Sequence, residues 1–416
     1  MRKMHFSRFF AFLMVFALVL GAFATAAPTQ AQETAEPTPL PAEEGTLTVW
    51  CDQNREPAIT AAGRAFTAAF GIPVRVQLMG FGDVRNNMNL AAPAGEGPDL
   101  IVGAHDWIGE LYSNGLLAPI NLDDDLAAQF DPVALQAFTY EGNLVGLPYA
   151  VEAVAMYYNT DLVETPPTTW EEAAALSLEL VEAGLVEQGI GIPPDPYHTY
   201  PLLSAFGGYI FGRDAEGNYN PNDVGLDSEG MIAGATELDA LVKAGVFRDG
   251  ISYDRLRELF QSNQLAMWVT GPWALGDIRA SGVPYAVAPL PAGTTEARPF
   301  TGNQGFMLNA FSPNLQLATA FLTEYIATTE VMMQLFEADP RIPAFLPVRN
   351  MIEDEDIVNF SLSAANGDPM PAIPQMSAVW SAWGNAVTLV YQQQGDPADI
   401  FSEAAEAVRE QIASGN

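Results

Sequence analysis

Residues 148–173 read PYAVEAVAMYYNTDLVETPPTTWEEA, and this is the most informative segment of the chain. One carboxylate, Glu152, lies inside a long apolar run that favours an extended strand. Two prolines end the run, and Thr169 with Glu172 three residues later makes a capping box, which marks the N-terminus of a helix. A strand that brings an acid and aromatic residues to a tight turn suits a cleft that binds polyhydroxylated ligands.

Strands and helices alternate along the rest of the sequence. Examples are a strand over Thr46–Trp50, a helix through Phe66 that ends at Gly71, a strand over Val74–Leu78 and a helix over Pro201–Phe206. This alternation favours βαβ units and α/β sheets rich in parallel strands. A chain of 416 residues, 49% of them hydrophobic, exceeds the size of a single core, so we expect two packed lobes.

The N-terminus predicts export. Residues 1–27 begin with basic side chains and continue in an apolar run, the layout of a secretory signal peptide. The run approaches the roughly 18–20 residues that span a bilayer, so a retained anchor is the alternative. Residues 28–45 are rich in Pro, Thr, Glu and Ala and predict a flexible linker. We therefore expect the folded part in the periplasm or at the outer cell surface, either free or tethered to the membrane.

The chain is strongly acidic, with a formal net charge of −34 and only two lysines, Lys3 and Lys243. Such a field repels nucleic-acid phosphates and anionic membrane surfaces, so no nucleic acid is expected as a partner. A neutral ligand fits this charge better than an anionic one. The sequence leaves open the alternative that the acidity serves solubility alone.

Several chemistries are disfavoured because their motifs are missing. The chain has neither a phosphate-binding P-loop motif nor a Gly-x-Ser-x-Gly nucleophile elbow. His105, His198 and the single cysteine, Cys51, are too scattered in sequence for a zinc site. Asp123–Asp125 lack the spacing of a calcium loop and favour the start of a helix. We predict no metal and no cofactor, and we expect Cys51 to be a small buried side chain.

What remains is a set of acids and aromatic rings. Carboxylates accept hydrogen bonds from sugar hydroxyls, and aromatic rings cover the apolar faces of sugars. Taken singly, each such side chain is more often a core residue, a helix cap or a solvated surface group. The candidates for ligand binding are Asp106, Trp107, Glu152, Asp195, Tyr197, Trp273, Trp380 and Trp383.

Five motifs follow one another along the chain: GEGPDLI at 95–101 with AHD at 104–106, PYAVE at 148–152, DPYHTYP at 195–201, GPW at 271–273, and PAIPQMS at 371–377 before Trp380. In this order they resemble the motifs of maltose/maltodextrin-binding proteins, the sugar-capturing subunits of ABC importers, over residues 45–416. The resemblance implies that Asp106 and Glu152 bind sugar hydroxyls. It also implies that Tyr197, Trp273 and Trp380 stack on sugar rings, and that Asn54 and Arg55 form a polar pair on the loop after the first strand.

The same resemblance implies an architecture and a role. It predicts a two-lobed α/β fold of the periplasmic-binding-protein type II, with a hinge-lined ligand cleft between discontinuous lobes. The first lobe would comprise residues 46–150 and 304–348, and the second residues 151–303 and 349–416. The implied role is that of a monomeric, non-enzymatic binding protein for maltose, a maltodextrin or a related α-glucoside. It would deliver this oligosaccharide to the membrane-embedded permease subunits of an ABC importer.

Several positions depart from the family pattern. Gly103 stands where the pattern often has tryptophan, Trp107 where it has arginine, and Asp195 where it has glutamate. Gly384 replaces a second arginine, and Trp383 is new beside it. Losing two arginines removes rigid hydrogen-bond donors to hydroxyls and ring oxygens, so the identity of the sugar is left open.

The sequence leaves two alternative functions open. The same fold could bind another oligosaccharide, a polyol or a glycerol-phosphate, although phosphate would require arginines or a helix N-terminus aimed into the cleft. A secreted glycoside hydrolase would instead use Asp106 and Glu152 as its two carboxylates. Their separation would then be about 5–5.5 Å for retention or about 6.5–9.5 Å for inversion, which the sequence does not give.

Overall fold

The computed structural model describes residues 39–215 and 217–414. The predicted signal peptide or anchor and the linker up to residue 38 lie outside these ranges. No helix within the described ranges is long and apolar enough to cross a membrane.

The strands of the described ranges form two main sheets, one larger than the other, and two short hairpins. In chain order, strands β1–β16 are Leu47–Cys51, Val74–Leu78, Leu100–Ala104, Leu117–Ala118, Thr139–Tyr140, Asn143–Leu144, Leu147–Glu152, Ala155–Asn159, Gln188–Gly191, Phe211–Arg213, Tyr219–Val224, Leu265–Thr270, Tyr285–Ala288, Phe300–Asn309, Ile342–Pro343 and Asp368–Pro369. The α-helices are Glu56–Phe70, Phe81–Ala91, Ile108–Ser113, Asp124–Ala127, Pro132–Ala137, Trp170–Glu182, Pro196–Ser204, Glu229–Lys243, Tyr253–Gln261, Leu275–Ser281, Leu315–Ala320, Thr329–Ala338, Leu346–Arg349, Glu355–Ala365, Met376–Tyr391 and Pro397–Ser414.

The larger sheet has the strand order β15-β7-β14-β3-β1-β2, with β4 and β16 also paired to β14. Strand β1 is parallel to β2 and β3, as the alternation of strands and helices predicts. The ten-residue strand β14 runs antiparallel to β3 and β7, so the sheet is mixed. The smaller sheet has the order β13-β8-β12-β9 and is also mixed. Helices pack on both sheets, which confirms the expected α/β fold class.

The local sequence signals explain where several helices begin and end. Thr169 accepts a hydrogen bond from the Glu172 N–H at 3.2 Å and makes the predicted capping box. Asp123 caps the helix Asp124–Ala127, so the acidic run starts a helix as expected. Gly71 ends the helix Glu56–Phe70 at φ 73°, a left-handed conformation that glycine adopts without steric cost.

One predicted helix has the wrong bounds. The sequence predicts Pro201–Phe206, whereas the structure has Pro196–Ser204. Asp195 accepts a hydrogen bond from the His198 N–H at 2.9 Å and so acts as the N-cap, and Pro196 fits the first turn because proline has no N–H to satisfy. Cys51 is fully buried in β1, which confirms the prediction of a small buried side chain, and burial raises the pKa of its thiol to about 12.

The segment 148–173 passes from one sheet to the other. Strand β7 belongs to the larger sheet and β8 to the smaller one, and only Ala153 and Val154 separate them. The chain returns to the larger sheet through β14, in which Gly302 lies opposite Glu152. Glu152 therefore lies at the junction of the two sheets.

Candidate ligand-binding site

A cavity of about 480 Å³ lies at the junction of the two sheets. Nine of the ten residues predicted to bind ligand line it: Asn54, Arg55, Asp106, Trp107, Glu152, Asp195, Tyr197, Trp273 and Trp380. The remaining lining residues are Asp52, Gln53, Phe81, Gly82, Arg85, Ala104, Pro196, His198, Gln304, Arg341 and Met370. The volume of the cavity falls within the range of about 300–1,000 Å³ that is usual for small-molecule sites.

Trp383 is the predicted residue that does not line the cavity. Its side chain is fully buried, and its ring stacks on Trp380 with centroids 6.1 Å apart and planes at 13°. Three residues along a helix amount to a turn of about 300°, so Trp380 and Trp383 are near neighbours but point in different directions. Trp383 supports the Trp380 ring from behind.

A buried polar cluster builds the side of the cavity that belongs to the larger sheet. Arg341 pairs with Glu152 through Nη1, and its Nε donates to Asp339 Oδ2 at 2.6 Å. Gln304 donates from Nε2 to the other Glu152 oxygen at 2.6 Å. Strand pairing produces this meeting, because Ile342 of β15 lies opposite Val151 of β7 and so places Arg341 beside Glu152.

Arg55 continues the cluster away from Glu152. Its Nη1 pairs with Asp52, and its Nε donates to the Tyr149 hydroxyl at 2.8 Å. The Tyr149 hydroxyl in turn donates to Asp339 Oδ2 at 3.4 Å. Buried charges require such pairing, since an ion taken out of water without a partner is strongly destabilising. The Arg55 guanidinium also lies 5.0 Å from the centroid of the Phe81 ring, which it covers.

Asp106 is held in a short 3-10 turn, His105–Trp107, directly after β3. Its Oδ2 accepts a hydrogen bond from Trp380 Nε1 at 3.2 Å, whereas Oδ1 is buried without a protein partner. Burial raises the pKa of Asp106 to about 6, although Arg85 and the Trp380 N–H act in the opposite direction. The neighbouring His105 is buried between Met370 O and Asn303 N, and burial lowers its pKa to about 4.

Trp107 occupies the space that Gly103 leaves. A Cβ at position 103 would lie 1.9 Å from the Trp107 ring, so no larger residue fits there while this ring is in place. The Trp107 ring also contacts Phe81, with centroids 4.8 Å apart. Positions 103 and 107 are therefore coupled, because the glycine leaves the space that the Trp107 ring fills.

Aromatic rings build the side of the cavity that belongs to the smaller sheet. Tyr197 and His198 lie in the first turn of the helix that Asp195 caps, and both rings contact Trp273, at centroid distances of 5.9 and 5.7 Å. Asp195 Oδ2 lies 2.7 Å from His198 Nδ1. Because a carboxylate can only accept, Nδ1 carries the proton, and Nε2 of a neutral ring is left as an acceptor.

Several polar atoms around the cavity are buried and have no hydrogen-bond partner in the described protein. They are Asp106 Oδ1, Tyr197 OH, His198 Nε2, Gln304 Oε1 and Arg341 Nη2. Donors and acceptors are both present, as a polyhydroxylated ligand requires, since each hydroxyl can donate and accept. No group of three or more His, Cys, Asp or Glu side chains in the part described here could hold a metal ion.

The sequence reasoning missed Arg341, Gln304, His198 and Phe81 as lining residues. His198 had a signal, because it lies three residues beyond the N-cap Asp195 and so faces the same turn. Arg341 and Gln304 had none, because strand pairing between distant segments brings them to Glu152. A junction of two sheets that combines aromatic faces with unpartnered polar atoms defines a ligand-binding protein.

Comparison with known proteins agrees with this class. The family model for bacterial extracellular solute-binding proteins matches residues 61–359. The chain is 28% identical over 380 residues to the galactooligosaccharide-binding protein of Bacillus subtilis (strain 168), which covers 88% of this chain and 89% of that protein. It is 32% identical over 315 residues to the maltotriose-binding protein of Pyrococcus abyssi (strain GE5 / Orsay), covering 73% and 68%. The chain therefore belongs to the bacterial extracellular solute-binding proteins, which are binding proteins and not enzymes.

Proposed function

We propose that this protein captures a neutral oligosaccharide of the maltose and maltodextrin type and delivers it to the permease subunits of an ABC importer. The main observation in support is the cavity. It combines aromatic rings, most of them on the side of the smaller sheet, with paired charges on the side of the larger sheet and unpartnered polar atoms on both sides. The chain matches one protein named for maltotriose and, at 26% identity, another named for maltodextrin. Both matches support this class of sugar. A galactooligosaccharide is the second candidate, because the relative named for it is matched over 89% of its length.

Each candidate side chain has a proposed part in sugar binding. Tyr197, Trp273 and Trp380 would cover the apolar faces of sugar rings, and Asp106 Oδ1 would accept a hydrogen bond from a hydroxyl. Glu152 would accept a further hydroxyl through its remaining lone pairs. Further proposed contacts, on the side of the larger sheet, are Asn54, Arg55 and Trp107. Asp195 would act through His198, and Trp383 through Trp380.

An anionic ligand such as a glycerol-phosphate fits this cavity less well. Four carboxylates line it, those of Asp52, Asp106, Glu152 and Asp195, against three guanidinium groups, those of Arg55, Arg85 and Arg341. Arg55 and Arg341 are also already paired with carboxylates. A phosphate would have to compete with these carboxylates for the same donors.

We also propose the lobe bounds and the setting that the resemblance implies. Residues 46–150 and 304–348 would form one lobe and residues 151–303 and 349–416 the other, closing on the sugar about the junction near Glu152. The protein would act as a monomer outside the cytoplasmic membrane. The N-terminal segment would either be cleaved or remain as a membrane tether.

Calorimetric titration of the purified protein tests the proposal. The sugars would be maltose, maltotriose, trehalose, sucrose and a β-galactobiose. We expect saturable binding of maltotriose, with weaker binding of trehalose and sucrose, and no release of reducing ends during incubation. Binding of the galactobiose alone would favour the second candidate, whereas an absence of binding to every sugar would contradict the proposed function.

A further inference from the structure

Arg341 carries a guanidinium group, and it is not among the residues that the sequence predicts to bind ligand. Its side chain is 2% exposed, yet it lines the cavity. Its Nε is bonded to Asp339 and its Nη1 to Glu152. The remaining nitrogen, Nη2, is buried and has no hydrogen-bond partner in the described protein.

The two existing bonds fix the direction of Nη2. A guanidinium is a rigid planar fork, so holding Nε and Nη1 leaves no rotation that would redirect the third nitrogen. The guanidinium carbon lies 5.7 Å from the centroid of the Trp273 ring. The guanidinium group is therefore held rigidly next to the Trp273 ring, on which a sugar ring would stack, and Nη2 is its unpartnered donor.

The positive charge of Arg341 is already more than offset by two carboxylates. Glu152 and Asp339 contact it directly, and both carboxylates are themselves almost fully buried. Nη2 therefore does not need an anion as its partner. A neutral oxygen would accept a hydrogen bond from Nη2 without adding net charge.

We infer that Arg341 binds the ligand directly, through a hydrogen bond from Nη2 to a neutral oxygen of the sugar unit that stacks on Trp273. This rests on the proposed function, because the ligand is taken to be a sugar. The residue supplies a rigid donor of the kind that Trp107 and Gly384 do not provide. It selects for sugars that carry an acceptor oxygen at this place, and it holds Glu152 in position for the neighbouring hydroxyl.

The test compares Arg341→Lys with the wild-type protein. A lysine keeps the positive charge beside Glu152 and Asp339 but has no second nitrogen at the Nη2 position. Calorimetry would use maltotriose and its monodeoxy derivatives. We expect the wild-type protein to bind at least one derivative about 10- to 100-fold more weakly than maltotriose, as for a lost bond to a charged donor. Arg341→Lys should bind maltotriose more weakly than the wild-type protein by a similar factor, and its affinity for that derivative should equal its affinity for maltotriose.

Arg349→Lys is the matched control. Arg349 lies eight positions further on, pairs with Asp131 at 2.6 Å and also has an unpartnered Nη2, but it does not line the cavity. Its replacement should leave the whole pattern of deoxy penalties unchanged. Circular dichroism and thermal melting would establish that both variants are folded.

The possible outcomes separate the two proposals. If the deoxy penalties in folded Arg341→Lys equal those of the wild-type protein, the inference is wrong while the proposed function stands. If Arg341→Lys does not fold, a crystal structure of the wild-type protein with maltotriose decides: an Nη2–oxygen distance of about 3 Å supports the contact, and one above about 4 Å overturns it. Failure of the wild-type protein to bind any sugar would overturn the proposed function, and the inference with it.

Discussion

The two sides of the cavity differ in how their side chains are held. On the side of the larger sheet, Glu152, Arg341 and Arg55 are fixed by ion pairs and hydrogen bonds with one another. On the side of the smaller sheet, Tyr197, Trp273 and Trp380 are fixed by ring contacts and helix geometry. One side therefore fixes directions for hydrogen bonds, whereas the other offers faces that tolerate several sugar orientations. Changes on the first side should therefore affect stability, and changes on the second should mainly affect binding.

The largest effect is expected for Glu152→Ala. Removing this carboxylate leaves the buried Arg341 with Asp339 alone and deprives Gln304 Nε2 of its acceptor. Breaking a buried ion pair in this way typically costs about 3–5 kcal/mol of unfolding free energy. Urea denaturation would measure the loss.

Asp254→Ala is the control for that experiment. Its carboxylate lies 3.0 Å from Arg257 in an exposed pair, for which a change of less than about 1 kcal/mol is expected. An equal loss of stability in both variants would mean that the cluster at the cavity has no special role in holding the structure.

The second prediction concerns the coupled positions 103 and 107. In Gly103→Ala the new Cβ would lie 1.9 Å from the Trp107 ring, so the ring or the backbone has to move. Overpacking of this kind costs about 1–3 kcal/mol of unfolding free energy, and a displaced Trp107 should also weaken sugar binding. Thermal melting and calorimetry would report the two effects separately.

Gly276→Ala provides the comparison for this overpacking. Gly276 lies in a helix, and a Cβ there meets no atom within 4 Å. That variant should be as stable as the wild-type protein or slightly more stable, since alanine favours the helix. Similar melting temperatures for Gly103→Ala and the wild-type protein would show that Trp107 moves at no cost.

The third prediction tests the aromatic side. Trp380→Ala should weaken sugar binding by about 1–3 kcal/mol if the ring stacks on the ligand, while the fold is retained. Trp380→Phe keeps a ring but loses the N–H that Asp106 Oδ2 accepts at 3.2 Å. Calorimetry on both variants therefore separates the ring from the hydrogen bond. Unchanged affinity in Trp380→Ala would remove this residue from the proposed site.

The sequence predicted the fold class and nine of the twenty residues that line the cavity, because these depend on local signals. The capping box at Thr169, the cap at Asp195 and the five motifs each depend on residues that are close together in the chain. The Arg341–Glu152 pair joins residues 189 positions apart, and it depends on the pairing of β15 with β7. No local pattern indicates that register. Trp383 is an error of the other kind, because the sequence predicts it to bind ligand but its side chain does not line the cavity. Its neighbour Trp380 does, whereas the helix turns the Trp383 side chain into the core.

The smallest effect is expected from pH, through Asp106. Burial holds the pKa of this carboxyl at about 6, and a hydroxyl that donates to Oδ1 stabilises the ionised form. Sugar affinity should therefore be constant above about pH 7 and fall as the pH drops through 6, by at most about tenfold per pH unit.

The contribution of Asp106 to the stability of the unliganded protein should show the opposite trend. The pKa of Asp106 is raised from 3.8 to about 6, so the folded state binds the proton more tightly than the unfolded state. Its contribution to stability is then greatest below pH 4 and is lost as the pH rises through 6. Asp106→Asn should remove the share of Asp106 in both trends, because an amide does not titrate. Asp339, whose pKa burial raises to about 7, keeps its own contribution to the stability. An identical pH dependence of affinity in that variant would assign the effect to another group and would leave Asp106 as a packed side chain beside Trp380.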